Sequence, residues 1–122
     1  MAYRLAKAAE DQIDAVLLES ARAHGVEAAG RYGLLLLAAM AALGDDPGLA
    51  GSVEVPRLRG VRAYPARLSR ARVEPARRVR RPRHLIIYRV GSDGVVEILG
   101  LVRDRMVLSR AARKVARSAD VP

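Results

Sequence analysis

His84-Leu85-Ile86-Ile87-Tyr88-Arg89-Val90-Gly91-Ser92-Asp93-Gly94-Val95-Val96-Glu97-Ile98-Leu99-Gly100-Leu101-Val102 is the stretch that decides the fold. Residues 84–90 are rich in β-branched and aromatic side chains, which suit a pleated, half-buried surface. Gly91-Ser92-Asp93-Gly94 then supplies the positive-φ chemistry of a hairpin turn. A return strand is expected over Val95 to Val102. Both strands carry apolar residues on both faces, so they belong at the centre of a sheet, with helices over one side.

Reading outward from this hairpin completes the element order. Upstream, Val61 to Tyr64 forms a further strand closed by Pro65, and Ala2 to Leu5 a short opening strand. Between these lie two helices. Ile13, Val16, Leu17, Ser20 and His24 recur at steps of three and four, which traces one helix face from Lys7 to Gly25. Ala29, Tyr32, Leu36, Met40 and Leu43 mark a second stripe over about Val26 to Leu43, and the run Leu34 to Leu37 implies that this helix buries two faces. With only Gly25 between them, the two helices form an antiparallel hairpin. Gly44-Asp45-Asp46-Pro47-Gly48 ends it. Downstream, Ser109 is positioned to cap a short last helix, Arg110 to Ala119. The expected fold class is α+β: an N-terminal strand and a helical hairpin on a small, mostly antiparallel sheet, with a short C-terminal helix. One domain is expected over 1–122, with a core at 1–110, a basic excursion at 66–83 and a basic tail at 111–122.

Charge is unevenly placed. Residues 57–89 hold twelve Arg against Glu74, a net +11, in a chain whose total is +9. The remainder is therefore close to neutral at −2, and the basic segment implies an acidic or polyanionic partner. There is no cysteine, so neither disulfides nor thiolate metal sites are available. The N-terminal residues have no apolar core before Glu10 and Asp11, unlike a signal peptide. The longest apolar run, Leu34 to Leu43, is half the roughly 20 residues that cross a bilayer. The expectation is a cytoplasmic protein with no membrane partner.

Several local signatures recur in this order: Tyr3-Arg4-Leu5 leading into Ala8-Ala9-Glu10-Asp11-Gln12-Ile13; Asp45-Asp46-Pro47-Gly48-Leu49; Gly60-Val61-Arg62-Ala63-Tyr64-Pro65; the strand 84–90; Asp93-Gly94; Glu97-Ile98-Leu99; and Arg103-Asp104-Arg105-Met106. Their order and spacing resemble the ParE-like toxins of the RelE/ParE superfamily over about residues 2–110. The resemblance implies a toxin of a type II toxin–antitoxin system that poisons DNA gyrase, serves plasmid stabilisation and is neutralised by a ParD-like antitoxin. The chain departs from the pattern at Ala6-Lys7, where a Ser-Pro start to the helix is usual. It also carries Arg103 where His is common, and its 66–83 link is longer and more basic.

The alternative within the superfamily is a RelE-like, ribosome-dependent mRNA interferase. Cutting RNA needs cations at the scissile phosphate and a group to take the 2′-hydroxyl proton. Arginines abound here, but nothing after Tyr88 is Tyr or His, and His24 reads as structural. A non-catalytic poison is therefore favoured, with no catalytic residues, cofactor or metal. Direct nucleic-acid binding is open but not favoured, since no reader element is apparent. Target or antitoxin contacts are expected from Arg62, Tyr64, Arg67, Arg83 and His84 around the basic segment. Arg89, Arg103, Arg105 and Met106 along and after the last two strands complete the set. Tyr3, Tyr32 and Tyr88 read as core side chains with a hydroxyl at the edge.

Overall fold

The computed structural model describes residues 2–103 and 108–120. The expected contacts Arg105 and Met106 lie outside the described residues. Five strands, β1 (Tyr3–Leu5), β2 (Val53–Glu54), β3 (Val61–Pro65), β4 (His84–Val90) and β5 (Val96–Arg103), form one sheet in the order β1-β5-β4-β3-β2. β1 runs parallel to β5, and the other neighbours are antiparallel. Helices α1 (Lys7–His24) and α2 (Val26–Asp45) form the hairpin, and α3 (Leu108–Asp120) closes the chain. The α+β reading stands, and the two-residue β2 is an added edge strand in a stretch that reads as loop in the sequence.

At Gly25 the turn between helices has no length at all. Its N–H closes α1 on the Ala21 carbonyl at 2.9 Å, while its own carbonyl accepts from Ala29 N–H at 3.2 Å to open α2. One residue can serve both helices because its φ of +94° lies where an L side chain is strained. The N-cap of α1 is Ala6, which makes no side-chain cap. Its N–H bonds instead to the Ile98 carbonyl at 3.0 Å, so the strand pairing of β1 runs directly into the helix.

On α2 the expectation of two buried faces is corrected. Leu35, Leu36, Ala39, Met40, Ala42 and Leu43 turn inward along one broad arc. Leu34 and Leu37 remain 38% and 55% exposed. Four leucines in a row fan out over about 300° at roughly 100° per residue, so a hairpin lying on one side of a sheet cannot bury them all. By length and mean hydropathy (1.4) α2 could cross a membrane, which the ten-residue run does not reveal, yet its inner arc is core.

Both faces of the sheet are covered. On one, α1, α2 and the 66–72 segment enclose Tyr64, Ile86, Tyr88, Val96, Ile98 and Leu101. On the other, a smaller core of Val55, Val61, Ala63, Ile87, Leu99 and Val102 meets Ala112 of α3. What lets β5 serve both is a bulge: Ile87 pairs with Gly100 and Tyr88 with Ile98, leaving Leu99 as the extra residue. The alternation changes phase there, so Leu99 points to α3 while Leu101 points to the hairpin. Gly100 sits at the closest approach. A Cβ on it would stand 2.5 Å from Gln12 Oε1 and 2.5 Å from a Val115 methyl. Past the end of β1, the Gln12 amide stands in for a strand, donating to the Leu101 carbonyl (2.6 Å) and accepting its N–H (2.8 Å). α3 begins at Leu108, so Ser109 lies inside the helix rather than at its cap.

The basic excursion has a definite conformation. Ala66–Arg72 and Pro75–Arg77 are 3-10 turns, with Ala66, Ser69 and Val73 buried. Its carbonyls are met by its own arginines: Arg70 Nε donates to Val79 O at 2.7 Å, and Arg78 Nε to Val73 O at 2.9 Å. A segment without a helix or strand ladder satisfies its backbone in this way.

Candidate functional site

The arginines and tyrosines expected as contacts divide into those the fold consumes and those it presents. Tyr64 is 1% exposed, and its hydroxyl shares a hydrogen bond with Ser69 Oγ at 2.8 Å. A side chain so enclosed offers no surface, which corrects the expectation that it is a contact. Arg62 is half-buried and donates to Ser52 Oγ (2.8 Å) and Ser52 O (3.1 Å). Ser52 hydrogen-bonds in turn to the Tyr88 hydroxyl, which donates to Pro47 O at 2.5 Å. This relay pins the 46–53 loop to β3 and β4, so Arg62 acts inside the fold. Tyr88 and Tyr32 carry their hydroxyls at the margin of the core, as expected.

Arg89 is likewise engaged. Its guanidinium meets Glu97 Oε1 at 2.8 Å and Asp120 Oδ1 at 2.7 Å, which ties β4 to β5 and to the end of α3. Nearby, Arg4 bonds Asp93 at 2.6 Å and Glu97 at 3.4 Å. The Arg4 guanidinium, with the Val95 N–H after it, holds the Asp93 carboxyl below its usual range. Arg89 does the same for Asp120, first through the hydrogen bond and then through its charge. Charges that favour the ionised form of a neighbour lower a carboxyl pKa in this way.

At the other end of the same strands the arginines face outward. His84 opens β4 and pairs in register with Arg103 at the end of β5. Together with Arg83 they border a groove of about 1010 Å³. Its walls are α1 and α2 on one side and residues 76–83 on the other. Arg31, Arg78, Arg80 and Arg81 add to the cationic lining, over a floor that includes Val16, Ala23, Ala28 and Val79. Glu19 is the acid that borders it among the described residues. The Tyr32 hydroxyl hydrogen-bonds His84 Nδ1, and the rings stand edge to face with centroids 5.5 Å apart. Arg67 is exposed on the 66–72 turn, away from this groove.

Of the expected contacts, then, Arg83, His84 and Arg103 are brought together. Arg31 was not singled out from the sequence, because it lies in a helix apart from the basic run. Arg78, Arg80 and Arg81 fall within the counted basic excursion, so the charge total carried them without saying where they point. Among the described residues no cluster of three or more His, Cys, Asp or Glu could hold a metal ion.

Such a groove offers fixed cations on an apolar bed, fit for an anionic surface or chain. A comparison with curated proteins gives no match. The family model of the ParE toxin of the type II toxin–antitoxin system, parDE, matches residues 3–108. That span takes in the whole sheet, the helical hairpin and the groove-bordering residues from Val16 to Arg103. The chain belongs to the ParE toxin family of type II toxin–antitoxin systems.

Proposed function

We propose that this toxin inhibits DNA gyrase in the cytoplasm by binding it, without chemistry of its own, and that a ParD-like antitoxin neutralises it by covering part of the same basic surface. The family match over residues 3–108 carries this reading. The geometry supports it: the outward cations are distributed along an open groove, as an interface requires. Association would be steered by the basic segment 57–89, and an antitoxin segment, as an amphipathic helix or added strand, would set its acids against the arginines that border the groove.

One observation favours the interferase alternative. Tyr32 and His84 form a hydrogen-bonded pair beside Arg83 and Arg103, and such a pair beside cations is a combination that RNA cleavage uses. A parallel assay separates the two. Purified toxin is added to gyrase with relaxed or supercoiled plasmid, and to ribosomes translating a defined message. The expected result is arrested supercoiling with accumulation of cleaved DNA complexes and an intact message. Codon-positioned cuts with gyrase unaffected would replace the poison by the nuclease.

A further inference from the structure

The groove does not end at the sheet. His84 and Arg103 also border a second depression, about 480 Å³, enclosed by α1, β5 and α3. Its far rim, Lys114 and Ser118, borders a third of about 450 Å³ on the outer side of α3, with Arg110, Arg113 and Arg117. Each therefore neighbours the next through shared bordering residues. They trace a cationic path from the 78–83 segment, around the open end of the β4–β5 hairpin, to the back of the molecule.

α3 is built for the far end of this path. Ala111, Ala112, Val115, Ala116 and Ala119 turn toward the second core, while Arg110, Arg113, Lys114 and Arg117 are exposed. Its one acid, Asp120, is drawn away to Arg89. Among the described residues, the ion pairs of the arginines involve Arg4, Arg77 and Arg89, none of which borders the path.

We propose that this path binds the sugar–phosphate backbone of a single-stranded nucleic acid. A run of cations along three neighbouring depressions matches a ligand with a charge at every residue. The path passes from the hairpin face of the sheet to the outer side of α3, so its occupant must bend within one protein diameter. A duplex, with a persistence length near 150 base pairs, resists that bend, and a single strand follows it. Ring surface is scarce along it, since Tyr32 and His84 pack edge to face on each other. Binding therefore depends on phosphate rather than base, and is steeply salt-dependent. This property stands whether the protein target is gyrase or the ribosome, both of which hold opened nucleic acid strands.

The test is fluorescence anisotropy of the full chain with labelled oligo-dT and oligo-rU of roughly 20 nucleotides. A duplex of the same length and a polyglutamate of matched charge serve as competitors. For about five phosphates engaged, log K should fall by about 3.5 per tenfold rise in salt. Two triple variants probe the two ends of the path: Arg80→Ser/Arg81→Ser/Arg83→Ser and Arg110→Ser/Arg113→Ser/Arg117→Ser. Each should weaken binding on the order of 100-fold near 0.1 M salt. The off-path pair Arg22→Ser/Arg59→Ser should cost well under about tenfold on the same footing. Similar affinity for oligo-dT and oligo-rU is expected, and a strong preference for one names that nucleic acid as the ligand. The wild-type salt slope needs no variant and guards against misfolding of either triple. A flat slope, a duplex that competes as well as the single strand, or an off-path pair as damaging as a triple would each overturn the proposal. Polyglutamate displacing the strand at lower concentration than unlabelled oligonucleotide would do so as well, and would assign the path to an acidic protein segment.

Discussion

The two ends of the β4–β5 hairpin are both rich in arginine and use it in opposite ways. At the turn end, Arg4 and Arg89 meet Asp93, Glu97 and Asp120 within 3.4 Å, and the charges close on one another. At the open end, Arg81, Arg83 and Arg103 border a groove where Glu19 is the bordering acid among the described residues. The first arrangement holds strands and α3 together; the second stores attraction for something outside the chain. Arg83 and Arg89 are six residues apart in one segment, so a net charge counted along the sequence overstates what a partner can reach.

Reversing the charge at the open end should have the largest effect. Arg83→Glu/Arg103→Glu is expected to weaken binding of the protein target by about 2 kcal/mol or more, roughly 30-fold, if these side chains anchor the interface. Both residues are exposed, so the melting temperature should stay within a few degrees of the wild type. Titration calorimetry and a thermal melt read the two quantities on the same sample. Equal loss of stability and binding would erase the distinction between the ends.

Arg89→Ala should give the mirror image. It removes the bridge from β4 to α3 and leaves half-buried Glu97 with only the longer contact to Arg4. A loss of about 1–2 kcal/mol is expected, between the value of an exposed pair and that of a buried one. Target affinity should be unchanged. Urea denaturation measures the first, and an unaltered binding isotherm checks the second.

Acid should act on the turn end, and more weakly. Asp93 and Asp120 have folded-state pKa values below their unfolded ones. Their contribution is complete above the unfolded carboxylate pKa, near 3.9, and is lost as pH falls through the lower folded value. Stability should therefore be level near neutrality and decline below about pH 4, with α3 loosening first. Asp120→Asn should flatten part of that decline, by less than about 1 kcal/mol for so exposed a pair. A variant with an unchanged acid profile would show that the Arg89–Asp120 contact adds nothing.

Elements with strong local signals were legible in the sequence. β4 covers the run 84–90 that is rich in β-branched and aromatic residues, and Gly25 divides the helices because its positive φ leaves few other residues suitable. Orientation was less legible. Tyr64 stands in basic surroundings yet points into the core, since what fixes it is Ser69, on the 3-10 turn that follows. Arg62 and Arg89 read as contacts because sequence gives their charge and not the partners, 8 to 31 residues away, that occupy them. The conformation of 66–83 was hidden for a similar reason: guanidinium-to-carbonyl bonds, which have no sequence period, hold it. The bulge at Leu99 was likewise masked, because apolar residues on both sides of β5 conceal a change of phase. The convergence of Arg31, Arg83 and Arg103 required the fold itself.

Hydrogen exchange of the toxin, free and saturated with gyrase, tests most directly whether the open end is the interacting one. Gyrase should slow exchange of amides at 28–32 and 78–84, beside the groove, and leave those at 91–96 as they are in the free toxin. Protection confined to 91–96, with the groove amides unchanged, would contradict the account.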